Sequence, residues 1–166
     1  GTTTAGGTQT IIAPPPANDN CSGAINLTVY GISCGGAPNG DVANATQSQA
    51  GCTGTADDDV WYKFTATGTS HIVTVVGSAS FDAEVQLFSG ACGSLTSVSC
   101  QNGTGSGGTE TLVATGLVNG NTYYARVYDY WSGAPFSTTF TICITSPPAN
   151  DNCTGATTLT VGTSCS

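Results

Sequence analysis

Five aspartates have the strongest claim to chemistry in this sequence. Asp57, Asp58 and Asp59 stand side by side just before the apolar stretch VWYKF, and Asp82 and Asp129 stand at the ends of two others. Adjacent carboxylates repel one another unless a cation or water screens them. Hard cations such as Ca2+ take six to eight oxygens from carboxylates, carbonyls and water, so these five define a candidate Ca2+ site. A solvated acidic turn accounts for the run equally well, and neither an EF-hand nor a nonapeptide calcium pattern is present to separate the two readings. A second group is aromatic. Tyr128, Tyr130 and Trp131 in YDYWSGAPF, with Trp61 upstream, suit a platform for sugar rings or packing against a neighbouring module, the commoner use of such side chains.

Nucleophilic catalysis finds no support. An activated Ser or Cys needs a base beside it; His71 is the only histidine and no G-x-S-x-G elbow exists. His71 reads as a solvent-facing or hydrogen-bonded strand residue, and the chain as a non-enzyme. Eight cysteines, with no CxxC pair and a single His, argue against zinc and for disulfides formed in an oxidising compartment. The six from Cys21 to Cys143 allow fifteen pairings. We expect Cys92–Cys100, because GACGSLTSVSC reads as a loop folding back on itself. Cys34–Cys52 would close a long polar loop, and Cys21–Cys143 would tie the first strand to the last. A rival pairing, Cys21–Cys34, would have Cys153–Cys165 as its equivalent. Sequons begin at Asn20, Asn26, Asn44, Asn102 and Asn152, and of these Asn44 and Asn102, in polar loops, are the candidate glycosylation sites.

These residues must be positioned by strands. Runs rich in Val, Ile, Tyr, Phe and Thr recur between Gly, Asn and Ser clusters, with no helical period. Strands are expected at about 24–30, 60–67, 71–77, 82–88, 95–99, 109–114, 122–129 and 137–145. Their spacing predicts an all-β fold, an antiparallel β-sandwich or jelly roll of about eight strands stapled by disulfides. Alternation places Ala83, Val85 and Leu87 on one face and Asp82, Glu84 and Gln86 on the other. It likewise turns Tyr123, Ala125 and Val127 inward, leaving Tyr124, Arg126 and Tyr128 on the opposite face. Tyr62 and Phe64 read as core, and Trp61 and Lys63 as the other face.

Composition restricts the partners. Lys63 and Arg126 are the only permanent cations against ten carboxylates, a formal net charge of −8. Nucleic acid and anionic lipid need clustered Lys and Arg, so both are excluded. Solubility rests on Thr, Ser, Asn and Gly, as in secreted bacterial modules. No charged-then-apolar signal opens the sequence and no apolar run reaches membrane-spanning length, so the chain reads as a mature or excised extracellular piece.

Self-similarity is the clearest feature of all. Residues 15–34 read PPANDNCSGAINLTVYGISC and residues 147–165 read PPANDNCTGATTLTVGTSC; with one gap, 15 of 19 aligned positions are identical. Cys21 and Cys153 lie 132 residues apart. A tandem array explains this, with residues 15–146 as one sandwich unit. Residues 147–166 are then a linker and the start of the next unit. Residues 1–14 form an extended segment, the end of a preceding unit or a strand that TQTIIA donates to a neighbour's sheet edge. The paired prolines make the joint stiff.

The runs DDDVWYKFTATG, FDAEVQLFSGACGSLTSVSC, GLVNGNTYYARVYDY and FTICIT occur in an order that resembles the bacterial pre-peptidase C-terminal domain. The NDNCSGAINL opening and the GACGSLTSVSC pair resemble in particular its repeats in giant secreted, adhesin-like surface proteins of Bacteroidota. The resemblance covers residues 18–146 and implies a small β-sandwich without catalytic residues, exported by a route such as type IX secretion. The expected function is therefore structural: a repeat of an extracellular cell-surface fibre or adhesin, whose partners are neighbouring copies. The alternative is a glycan- or protein-binding accessory module of a secreted hydrolase.

Overall fold

A computed structural model describes residues 13–148, 150–151 and 155–159. The expected donor strand TQTIIA, apart from Ala13, lies outside the described residues, as do Asn152, Cys153 and Cys165. After a short 3-10 turn at Cys21–Gly23, ten strands follow: β1 (Ile25–Asn26), β2 (Val29–Tyr30), β3 (Asn39–Asp41), β4 (Val60–Thr65), β5 (Ser70–Gly77), β6 (Ala83–Ala91), β7 (Ser94–Gln101), β8 (Thr109–Thr115), β9 (Thr122–Asp129) and β10 (Thr139–Thr145). One sheet has the order β1-β4-β9-β6-β7 and the other β2-β10-β5-β8, with β3 also pairing β10.

The expected sandwich is present, with mixed rather than purely antiparallel sheets. The stretch read as one strand over 24–30 splits. β1 runs parallel to β4 in one sheet, and β2 runs parallel to β10 in the other. Between them Leu27 is buried in the core, so this arm stitches both layers together. The three-residue β3 has too little apolar signal to be read from sequence. Gly40 within it lies against Phe140 and the Tyr62 hydroxyl, and any Cβ there would collide with both.

Alternation sorted the core correctly. Tyr62, Phe64, Val85, Leu87, Tyr123, Ala125 and Val127 pack between the sheets with Val73, Val75, Phe81, Leu112, Phe140, Ile142 and Ile144. Phe81 stacks on Phe140 at 5.4 Å and Tyr62 meets Phe140 edge-on at 6.0 Å.

The disulfides correct the expected pairing. They are Cys21–Cys92, Cys34–Cys143 and Cys52–Cys100, with Cα separations of 5.6, 6.2 and 6.5 Å. Cys92 lies in the β6–β7 turn, whereas Cys100 pairs with Gln86 near the far end of β7. Roughly 20 Å of strand therefore separates the two, which forbids Cys92–Cys100. Cys143 is in β10, whereas Cys21 packs with Trp61 and Phe88 on the outer face of the other sheet, which forbids Cys21–Cys143. Cys52 rests beside Glu84 and Tyr128 on that same outer face, so it takes Cys100 rather than Cys34. The rival Cys21–Cys34 is excluded by the same bridges.

Candidate functional site

The outer face of the β1-β4-β9-β6-β7 sheet is not open to solvent. The segment between β3 and β4 lies across it, held by the one arginine of the chain. Arg126, on β9, donates to the Gln49 and Ala50 carbonyls at 2.8 Å each, to Gln86 Oε1 at 2.7 Å and to Asp59 Oδ2 at 3.0 Å. Its guanidinium also lies over Tyr128 at 4.9 Å, and Trp61 and Phe88 at 5.7 Å each. Asp59 accepts further from Ser48 Oγ at 2.8 Å. Burial pushes the Asp59 carboxyl up in pKa, while Ser48 and Arg126 pull it back. Glu84 completes this layer, accepting from the Thr53 amide and hydroxyl at 3.0 and 2.8 Å. Sequence reading put Arg126 and Glu84 on the outer face but missed that they bind a loop. The signal was a lone arginine in a charge-poor chain.

The aspartates expected at one site divide among three places. Asp59 belongs to the arginine. Asp57 and Asp58, at the start of β4, line a cavity of about 360 Å³ with Val42, Asn44, Pro135 and Thr138. Asp57 Oδ2 accepts from the Gly133 amide at 2.8 Å and Asp58 Oδ1 from the Asp129 amide at 3.0 Å. Their other oxygens, Asp57 Oδ1 and Asp58 Oδ2, are buried without a partner. Desolvation raises the Asp58 carboxyl to about 7, and the neighbouring aspartates add to the rise against the opposing Asp129 hydrogen bond. Asp129 accepts from the amides of Asp82 at 2.7 Å and Trp131 at 3.1 Å; burial raises its pKa too. Asp82 lines a separate cavity with Thr53, Asn102 and Tyr130.

No three of these aspartates converge as ligands. Among the described residues, the only trio of potential metal-binding side chains within 4.8 Å of one another is Cys52, Glu84 and Cys100, and its two sulfurs form a disulfide. What the fold does provide is the Asp57–Asp58 pair lining one cavity, each residue with one buried, unpartnered oxygen. A hard cation there would draw its remaining ligands from carbonyls and water.

The aromatic group divides as well. Trp131 is 60% exposed and meets Tyr130 edge-on at 5.0 Å. Tyr128 is fully buried, its hydroxyl donating to the Thr53 carbonyl at 2.9 Å, so it offers no face to a sugar. Asn44 is exposed and adopts a left-handed φ of 60°; Asn102 is half-buried. His71 is buried and structural. Its Nε2 accepts from the Thr67 amide at 3.0 Å, which leaves Nδ1 to donate toward the Thr145 carbonyl at 3.4 Å. Burial lowers its pKa.

Comparison with curated proteins found no match. Among solved structures, the chain is similar to the pre-peptidase C-terminal domain of collagenase from Bacillus anthracis. The two are 12% identical with a TM-score of 0.47, over 73% of this chain and 93% of that one. Residues 17–142 match the T9SS-associated family described as "Galactose binding domain-like". That association points to a secreted or surface protein and fits an extracellular accessory module. Among the described residues no helix is long and apolar enough to cross a membrane. With that match spanning nearly the whole sandwich, the chain belongs to the T9SS-associated family of galactose-binding-domain-like proteins.

Proposed function

We propose that the chain is a non-catalytic repeat of an extracellular, cell-surface fibre or adhesin, its units joined through PPANDN segments. One observation carries the reading. The second copy of the motif repeats the local structure of the first without its burial. Asp19 N donates to the Pro16 carbonyl at 3.0 Å, and 132 residues later Asp151 N donates to the Pro148 carbonyl at 3.0 Å. In the first copy Asn18, Asp19, Ala24 and Leu27 are buried. Their counterparts Asn150, Asp151, Ala156 and Leu159 are all exposed, Leu159 to 86%. Such a segment behaves as an arm whose body lies elsewhere, and in a tandem array that body is the next unit. Electron microscopy and intact mass of the natural protein test this; the expected result is a multi-unit filament, and a compact particle with the mass of one unit overturns it.

Further assignments follow within the same proposal. Ca2+ is the cofactor, held by Asp57 and Asp58, whose unpartnered buried oxygens support it. The open edge of β8 is where a neighbour's TQTIIA would add by β-augmentation; unchanged assembly after deletion of residues 1–13 would remove that mode. Asn44 and Asn102 are the glycosylation sites, checked by a glycosidase-sensitive mass shift. The second reading, a glycan-binding accessory module, is favoured by the exposed Trp131 against Tyr130. It requires glycan retention by the isolated unit that Trp131→Ala abolishes.

A further inference from the structure

The two ends of the sandwich carry the chain in and out at opposite poles. Asn18 is locked to the start of β4, its carbonyl accepting from the Trp61 amide at 2.8 Å and its side chain donating to the Trp61 carbonyl at 3.1 Å. Val60, just before Trp61, pairs with Val127 toward the end of β9. This pole also holds the turns after β3, β5 and β9. At the other pole β10 ends, and Ser146 N donates to the Tyr30 and Gly31 carbonyls at 3.0 and 3.1 Å. The turns after β2, β4 and β8 lie there.

Only residues 147–149 separate Ser146, fixed to one unit, from Asn150, the counterpart of the locked Asn18. Four Cα steps span at most about 14 Å, and two are constrained by proline. The turn in which Asp151 N donates to the Pro148 carbonyl at 3.0 Å shortens the reach further. Consecutive units therefore have to touch.

The surfaces that meet are suited to contact. The exit pole, formed by residues 31–37, 66–69, 116–121 and 146–148, contains no charged residue and exposes Ile32 (77%) and Val118 (56%). The opposite pole exposes Phe136 (98%) beside the cavity whose rim includes Val42, Ala134 and Pro135 as well as Asp57 and Asp58. Isolated apolar side chains on a surface are ordinary. Here they cap both ends of the axis along which the chain must continue.

We propose that the exit pole of each unit, with Ile32 and Val118, seats on the Phe136 pole of the following unit in a heterologous, head-to-tail contact. The array is then a rod with rigid joints rather than beads on a string, because a head-to-tail contact that does not close a ring propagates linearly. The inference rests on the tandem reading above.

The test uses the natural multi-unit protein and an elastase-type protease, which cuts after Ala149 when the joint opens. Cleavage that tracks the opened population should rise roughly tenfold or more in Ile32→Asp and in Phe136→Asp. The melting temperature of the units should not change, since both side chains lie outside the core. Orientations of adjacent units in micrographs should broaden in parallel. Cleavage and orientation identical to wild type in both variants overturn the rigid joint, as would neighbouring units lying side by side. An intact mass of a single unit instead overturns the tandem reading itself, so the two failures are distinguishable.

Discussion

Arg126 and Asp59 form an ion pair at 3.0 Å with neither side chain accessible to solvent. The pair crosses from the middle of β9 to the residue before β4, and its other hydrogen bonds fasten the loop at Gln49 and Ala50. Removing one partner leaves the other charge buried, a change that costs about 3–5 kcal/mol. Arg126→Met should therefore destabilise by that amount in urea unfolding. Arg126→Met combined with Asp59→Asn should lose markedly less than the sum of the single changes.

Stability near neutral pH should carry the signature of Asp58. Its folded pKa, about 7, lies above its ordinary value of 3.8, so between about pH 4 and pH 7 the native state binds more protons than the unfolded chain. The linkage slope is then negative: this carboxyl adds stability as pH falls through the window. His71 acts oppositely, because its depressed folded pKa removes stability as pH falls below its ordinary 6.5. Melting curves of wild type and Asp58→Asn, subtracted across the range, isolate the aspartate. The variant should gain most above pH 7 and nothing at pH 4.

Chelation offers a separate check on the cavity. If Asp57 and Asp58 hold Ca2+, adding the ion at a hundred times its Kd should stabilise the chelated protein by about 2.7 kcal/mol. Asp57→Asn with Asp58→Asn should abolish the shift. Asp82→Asn should not, since Asp82 opens into another cavity. A shift that survives the double variant rules out this pair.

Non-reducing peptide maps should return Cys21–Cys92, Cys34–Cys143 and Cys52–Cys100. The bridges span 71, 109 and 48 residues, and replacing a pair by serines should cost about 4–5 kcal/mol by loop entropy, most for Cys34–Cys143.

The two arms predict an asymmetry. Leu27→Ala opens a cavity in the core and should cost about 2–5 kcal/mol. Leu159→Ala should leave the stability of the present chain unchanged, as its side chain has nothing to lose. Equal effects would contradict the exposure of the second copy.

The legible parts of the fold were those that depend on local periodicity. Period-two patterning gave the inward faces of β4, β6 and β9, because a strand buried on one side cannot place Val85 or Ala125 otherwise. It could not say what covers the reverse face, which is why Tyr128 looked available and is not. The loop lies there because Arg126 finds its acceptors in Gln49 and Ala50, far away in sequence. Residues 24–30 read as one strand because alternation continues through Leu27 while the chain changes sheets. The cysteines depended wholly on topology. Pairing by proximity in sequence misjudged Cys92 and Cys100, which lie at opposite ends of a strand. The aspartate run was legible as a cluster, but the turn that leads into β4 sends Asp58 to the Asp129 amide and Asp59 to Arg126.

The bridge from Cys34 to Cys143 has a mechanical consequence. When the chain is pulled from its two ends, tension passes through residues 16–34, crosses the bridge, and leaves from Cys143 through Ser146. The whole stretch between the two cysteines lies off the load path. A loaded unit can lengthen by the slack in about twenty residues, roughly 70 Å at full extension, while the stretch carrying β4 to β9 bears no tension. Cutting that shunt alone would move the load to the Cys21–Cys92 bridge and on through β7 to β10; only reduction of all three bridges would expose every strand to the pull.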